Sequence, residues 1–102
     1  MKRIINNCIK SSIENYNNLL DDDKFQETIE LITKRSVEAF CSGKKMLFCG
    51  NGGSASDAQH IAAELSGRFY FDRPPLYAEA LHVNSSYLTA VANDYGYEVI
   101  YS

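Results

Sequence analysis

The chain has 102 residues, of which 45% are hydrophobic and 23% are charged, and this composition is typical of a globular domain. Its net charge is −3 and its lysines and arginines are scattered, so we expect no nucleic-acid partner, which would require a basic patch. No apolar run reaches the roughly 18 residues that a membrane span requires, and polar residues interrupt the basic N-terminus at once, so we expect neither a membrane partner nor a secretory signal.

Residues 1–43 predict a pair of helices. Apolar side chains recur there at three- and four-residue spacing, which places each set on one helical face. The two stripes consist of Ile5, Ile9, Ile13, Tyr16 and Leu20, and of Phe25, Ile29, Ile32, Ser36 and Phe40. Asp23, with Gln26 three residues later, predicts a capping box for the second helix, and Gly43 predicts its left-handed C-terminal cap.

From residue 44 onward, the pattern indicates strands that alternate with helices. The continuous apolar run Met46–Cys49 is typical of a strand buried on both faces. A tight turn at residues 50–53 leads into a helix predicted from Ser54 to about Arg68. We expect its buried side to carry Ala58, Ile61, Ala62 and Leu65.

A second strand is predicted at residues 76–81, followed by a short helix capped by Ser85 or Ser86, a turn at residues 93–96 and the start of another helix at residue 97. Strands that alternate with helices imply a parallel sheet in a layered α/β fold. Because only two strands are evident, we interpret the chain as the front part of a larger domain.

Three cysteines, Cys8, Cys41 and Cys49, form no CxxC pair and are odd in number. We expect them to be buried, reduced thiols in a cytoplasmic protein.

The turn between the first strand and its helix, Gly50-Asn51-Gly52-Gly53-Ser54, has features of an anion site. Gly52 and Gly53 allow positive φ and a close approach of ligand to backbone. Ser54 can cap the helix, whose free N–H groups and dipole favour an anion, and Asn51 adds a side-chain amide. The turn is neither a Walker loop nor a GxGxxG fingerprint. Turn geometry alone could also explain these glycines.

His60 and Glu64 stand four residues apart in the helix that follows the turn, so both project from one face. An imidazole and a carboxylate so placed could bind one zinc ion or flank a substrate as acid and base. A hydrogen-bonded surface pair is the ordinary alternative. Arg68 follows one turn further along, as a possible ligand contact or as a cation complementing the helix dipole.

Asn93 and Asp94 lie in the predicted turn after the second strand and short helix. Ligands of open α/β sheets gather beyond the carboxyl ends of the strands, where these side chains could meet the first loop. Turn and cap chemistry alone would explain the same residues.

Together, the segments CGNGGSASDAQHIAAELSGRF (49–69) and ANDYGYE (92–98) resemble the phosphoheptose isomerases, which have the sugar-isomerase (SIS) fold. The resemblance covers essentially the whole chain. It implies an N-terminal helix pair followed by the first βαβα part of a flavodoxin-like, three-layer parallel sheet. Residues 1–43 would then belong to both the SIS domain and an oligomer interface, and residues 44–102 would form the first half of the domain.

The resemblance also implies an activity and a set of site residues. The family converts D-sedoheptulose 7-phosphate into D-glycero-D-manno-heptose 7-phosphate, for the heptose of lipopolysaccharide or capsule, in cytoplasmic homotetramers that often hold zinc. Glu64 matches the catalytic carboxylate, and His60 and Glu64 match zinc ligands, with one zinc per subunit. The positions that match substrate contacts are Asn51, Gly52, Gly53, Ser54, Glu64, Arg68, Asn93 and Asp94.

Family members run to roughly twice this length. The Ser/Thr-rich phosphate loop and the C-terminal helix with its glutamine and histidine have no counterpart here, so we expect the 102-residue chain alone to be inactive. One alternative is a non-catalytic SIS protein that binds a protein partner such as the bacterial replication initiator. Another is a phosphosugar-sensing regulatory domain.

Overall fold

The computed structural model describes residues 1–102, which divide into two compact units, Met1–Val37 and Glu38–Ser102. The predicted α/β fold with a parallel sheet is confirmed. The elements are α1 (Lys2–Leu20), α2 (Asp23–Cys41), β1 (Met46–Phe48), α3 (Gly53–Ser66), β2 (Ala78–Ala80) and α4 (Ser85–Tyr95), with 3₁₀ turns at Leu81–Val83 and Tyr97–Val99. None of the helices is long and apolar enough to cross a membrane.

Helices α1 and α2 carry the predicted apolar stripes, but neither helix has a buried residue. On α1 the stripe is more than half exposed throughout, from 53% at Ile5 to 74% at Tyr16. On α2 the exposed fraction rises from 40% at Phe25 to 54% at Ile32. The amphipathic pattern therefore presents apolar side chains on open surface.

The cap of α2 differs from its prediction by one residue. Asp22, not Asp23, supplies the acceptor, because its Oδ1 takes the Phe25 N–H at 2.9 Å. The side chain of Gln26 donates to the Leu20 carbonyl instead of completing a capping box. At the other end, Gly43 has the predicted left-handed conformation with φ +68°.

In the second unit, β1 and β2 pair in parallel, with Met46 opposite Ala78 and Phe48 opposite Ala80. Helix α3 packs against both strands. The buried core is small and consists of Ala58, Ala62, Ala80 and Ile100. Alanines are suited to these positions because their short side chains let α3 approach the strands closely.

Burial was overestimated at several positions. Leu47 is 48% exposed, because side chains alternate between the two faces of a strand and only Met46 and Phe48 share the half-buried face. Ile61 is 46% exposed on α3. The prediction of buried thiols is also wrong, since Cys8, Cys41 and Cys49 are all free but exposed.

Both strands are shorter than predicted, and the boundaries of α3 and α4 also differ from their predictions. Helix α3 ends at Ser66 and leaves Arg68 beyond it. Helix α4 is capped by Asn84, whose Oδ1 accepts from the Tyr87 N–H at 3.0 Å, and not by either serine. The same helix continues to Tyr95, so Asn93 and Asp94 lie in its last turn and not in a loop.

Candidate functional site

The loop between β1 and α3 requires glycine at two positions. Gly52 has φ +56° and ψ −122°, a conformation that L side chains rarely adopt. At Gly50 a Cβ would lie 2.5 Å from the Ser54 carbonyl oxygen, so the loop and the first turn of α3 are in direct contact. Gly53 has no positive φ, contrary to prediction, because it already begins the helix.

Helix α3 starts without a side-chain cap. Its N-cap is Gly52, and Ser54, predicted to be the cap, is the second helical residue. The Ser54 N–H donates to the Asn51 carbonyl at 3.1 Å, and the Ala55 N–H donates to the Gly52 carbonyl at 3.2 Å. Because loop carbonyls occupy the Ser54 and Ala55 amides and no side chain caps this end, the Gly53 N–H and the helix dipole can serve an anionic ligand.

About two turns into α3, His60 and Glu64 form the predicted pair. Nε2 of His60 and Oε1 of Glu64 are hydrogen-bonded at 3.1 Å, and their side chains are 74% and 38% exposed. The two residues line two surface depressions of about 430 and 400 Å³. Both side chains are therefore open to a ligand.

Of the two arginines that follow α3, Arg73 contacts the helix end that carries this pair. Arg73, which sequence reasoning missed, donates from Nη2 to the Glu64 carbonyl at 2.9 Å and from Nη1 to the Leu65 carbonyl at 2.8 Å. It also lines the smaller depression with His60 and Glu64. Arg68 is exposed beyond the end of α3, and its place in the site stays a prediction.

The segment after α4 reaches the glycine loop through two tyrosines. The Tyr97 hydroxyl donates to Asn51 Oδ1 at 2.6 Å, and the Tyr101 hydroxyl donates to the Gly50 carbonyl at 2.8 Å. Neither tyrosine was singled out from the sequence, because no local pattern marks contacts that span 46 and 51 residues. Asn93 and Asp94 bond each other, from Nδ2 to Oδ1 at 2.9 Å, and their part in the site is untested.

The arrangement combines an uncapped helix end, a side-chain amide fixed at the loop and, about two to three turns further along the helix, a carboxylate paired with an imidazole. An anionic group can be held at the loop, while the Glu64 carboxylate remains available for proton transfer.

Comparison with known proteins identifies relatives over most of the chain. The sequence model of the SIS domain matches residues 12–102. Over 84 residues, 82% of its length, the chain is 54% identical to a phosphoheptose isomerase from Mycobacterium bovis (strain BCG / Pasteur 1173P2) and covers 43% of that protein. Over all 102 residues it is 47% identical to a phosphoheptose isomerase from Aneurinibacillus thermoaerophilus, of which it covers 52%.

A solved phosphoheptose isomerase from Francisella tularensis has the same fold over the shared region. The TM-score is 0.86 at 36% identity, and the match covers 96% of this chain and 50% of the other. The chain therefore spans about half the length of the curated relatives it matches.

Proposed function

The chain belongs to the SIS domain family, and from that premise we propose that the protein is a phosphoheptose isomerase. The proposed reaction converts D-sedoheptulose 7-phosphate into D-glycero-D-manno-heptose 7-phosphate, for the heptose of lipopolysaccharide or capsule. The observation that carries the proposal is the exposed His60–Glu64 pair, 3.1 Å between Nε2 and Oε1, which lies about two to three turns inside the helix that the glycine loop opens. Similarity to phosphoheptose isomerases along the whole chain supports it.

An aldose–ketose isomerisation through an enediol needs a base that removes a carbon-bound proton and returns it to the neighbouring carbon. Glu64 is the proposed base. Its carboxylate bonds His60 through one oxygen and is 38% exposed, so a sugar in the adjoining depression can reach it. Arg73 holds the main-chain carbonyl of Glu64, which limits movement of the base.

Polar oxygens of the substrate are proposed to bind at the loop and around it. The proposed contacts are Asn51, Gly52, Gly53, Ser54, Glu64, Arg68, Asn93 and Asp94. Support for the loop contacts is local, since the α3 end has no side-chain cap and Asn51 is exposed. For Arg68, Asn93 and Asp94 the support is the resemblance of their sequence segments alone.

Zinc is proposed as a cofactor, one ion per subunit, with His60 and Glu64 among its ligands. Two ligand atoms about 2.0–2.2 Å from one tetrahedral zinc lie roughly 3.3–3.5 Å apart, and Nε2 and Oε1 are 3.1 Å apart in this structure. The donor types suit two positions of such a site, and the two atoms, now hydrogen-bonded to each other, would move slightly apart to share the ion. No group of three or more potential ligands occurs within the 102 residues. When bound, the ion would polarise substrate oxygens.

A cytoplasmic homotetramer is proposed for the whole protein. The exposed apolar stripes of α1 and α2, such as Ile9 at 54% and Ile29 at 48%, support burial in an assembly. A non-catalytic SIS protein that binds a partner is the less favoured alternative, because binding alone does not require the His60–Glu64 pair.

The natural polypeptide encoded by the whole reading frame provides the test. It is incubated with D-sedoheptulose 7-phosphate in D₂O, and the products are followed by NMR. We expect the aldose phosphate to form with deuterium at C2, because a carboxylate base exchanges its proton with solvent. Absence of both turnover and exchange in a folded protein would refute the proposal, and capture of a protein partner by that inactive protein would favour the alternative.

A further inference from the structure

Two tyrosine hydroxyls bond the glycine loop in different ways. Tyr101 donates to the main-chain carbonyl of Gly50, 51 residues away in sequence, and so fixes the course of the loop. Tyr97 donates to the side chain of Asn51, 46 residues away. Of the two, only Tyr97 therefore bonds a side chain that also carries hydrogen-bond donors for a ligand.

The bond from Tyr97 determines which way the Asn51 carboxamide faces. A carboxamide has an acceptor oxygen and a two-proton donor nitrogen on opposite sides of one carbon. The 2.6 Å separation is typical of O–H···O bonds, which are shorter than N–H···O bonds, and so matches Oδ1 as the partner. With Oδ1 occupied by the phenol, the Nδ2 donors are directed away from Tyr97.

We propose that Tyr97 is a positioning residue that holds the Asn51 amide with its N–H donors toward a phosphate or hydroxyl oxygen of a sugar phosphate bound at the loop. This inference rests on the proposed function for the identity of the ligand. Asn51 is exposed and directly precedes Gly52, the N-cap of α3, so its amide adjoins the helix end whose dipole favours an anion.

Removing the hydroxyl alone would free the amide to rotate, and donor and acceptor would then exchange places. A neutral hydrogen bond of this kind contributes a factor of roughly two to ten to an equilibrium. Because Asn51 would hold the substrate before and during the reaction, we expect the loss mainly in KM.

The test uses the natural polypeptide and the variants Y97F, Y101F, Y95F, N51A, Y97F/N51A and Y101F/N51A, with KM and kcat measured for D-sedoheptulose 7-phosphate. We expect Y97F to raise KM about two- to tenfold, with kcat changed less than about twofold. Tyr95 is the last residue of α4 and is 74% exposed, so Y95F is the matched control. Its KM and kcat should equal those of wild type.

Measuring the effect of Y97F on KM with and without the Asn51 side chain distinguishes positioning of the amide from general support of the loop. In the N51A background, adding Y97F should change KM no further, because the amide through which Tyr97 acts is gone. The effect of Y101F should persist there, since its bond is to the main chain of Gly50. An equal KM for Y97F and Y95F, or an undiminished Y97F effect in N51A, would overturn the inference.

A second readout does not depend on turnover. The side-chain NH₂ resonances of Asn51 are recorded by ¹⁵N NMR in wild type, Y97F and Y95F. We expect them to move in Y97F and stay in place in Y95F. An unmoved Asn51 signal in Y97F would refute the positioning role whatever the assay gave, whereas an inactive wild type with the expected shift would refute only the proposed function.

Discussion

Arg73 and Glu64 are joined through the main chain, because Nη2 of Arg73 donates to the Glu64 carbonyl oxygen at 2.9 Å while Nη1 donates to the next carbonyl, of Leu65, at 2.8 Å. The last four carbonyls of a helix have no partner within it. One guanidinium therefore satisfies two carbonyls near the end of α3, the helix that carries the proposed base.

Replacing Arg73 by methionine should destabilise the protein by about 1–3 kcal/mol, since charge-assisted hydrogen bonds to part-buried carbonyls are lost while the aliphatic stem is kept. Urea unfolding of the natural polypeptide measures the change. Arg68→Met serves as the control, because Arg68 is exposed beyond the helix end. Equal unfolding free energies for the two variants would contradict the capping role.

Gly50 and Gly53 lie in the same loop and should respond oppositely to alanine. A Cβ at Gly50 would meet the Ser54 carbonyl oxygen at 2.5 Å, so Gly50→Ala should cost about 1–3 kcal/mol. Gly53 is helical with no atom within 4 Å of its Cβ position, so Gly53→Ala should be neutral or stabilising by up to about 1 kcal/mol. Chemical unfolding measures the unfolding free energy of both variants. If Gly50→Ala were as stable as Gly53→Ala, the loop would have moved to accommodate the added Cβ at little cost.

Local spacing in the sequence predicted much of this fold. The helical periodicity of residues 1–43, the glycine turn and the alternation of strands with helices all reflect interactions within a few residues, and the structure has each of them. The His60–Glu64 pair was predictable for the same reason, because one helical turn separates the two residues.

Contacts between distant residues were not predictable in this way. The Tyr97–Asn51 bond spans 46 residues, and the Arg73 bonds join a loop to a preceding helix end. No periodic pattern marks such pairs. The prediction of burial failed for a similar reason. The apolar run Met46–Cys49 does not reveal that Leu47 faces an exposed side of the sheet.

Zinc binding should depend on His60. The natural polypeptide, stripped with a chelator and dialysed against buffered Zn²⁺, should take up about one ion per subunit, a stoichiometry that rests on the proposed site. In His60→Ala the affinity for Zn²⁺ should fall by about tenfold or more, because one of the proposed ligands is missing. Cys49→Ser is the control, since that exposed thiol adjoins the same loop without belonging to the pair. Equal metal content in His60→Ala and wild type, measured by elemental analysis, would exclude His60 as a ligand.

Glu64→Gln should abolish the proposed proton transfer and leave the fold intact. Glutamine is nearly isosteric with glutamate but cannot remove a proton from carbon, so kcat should fall by about 10²–10⁴-fold, and deuterium incorporation at C2 should fall with it. Glu64 is 38% exposed, so the unfolding free energy should change little. Glu79→Gln, an exposed carboxylate on β2, is the matched control and should keep full activity. If Glu64→Gln retained more than about a tenth of wild-type turnover, the base would have to be another residue. If it lost turnover but still exchanged a C1 proton of the ketose for deuterium, Glu64 would act after proton removal and not as the base.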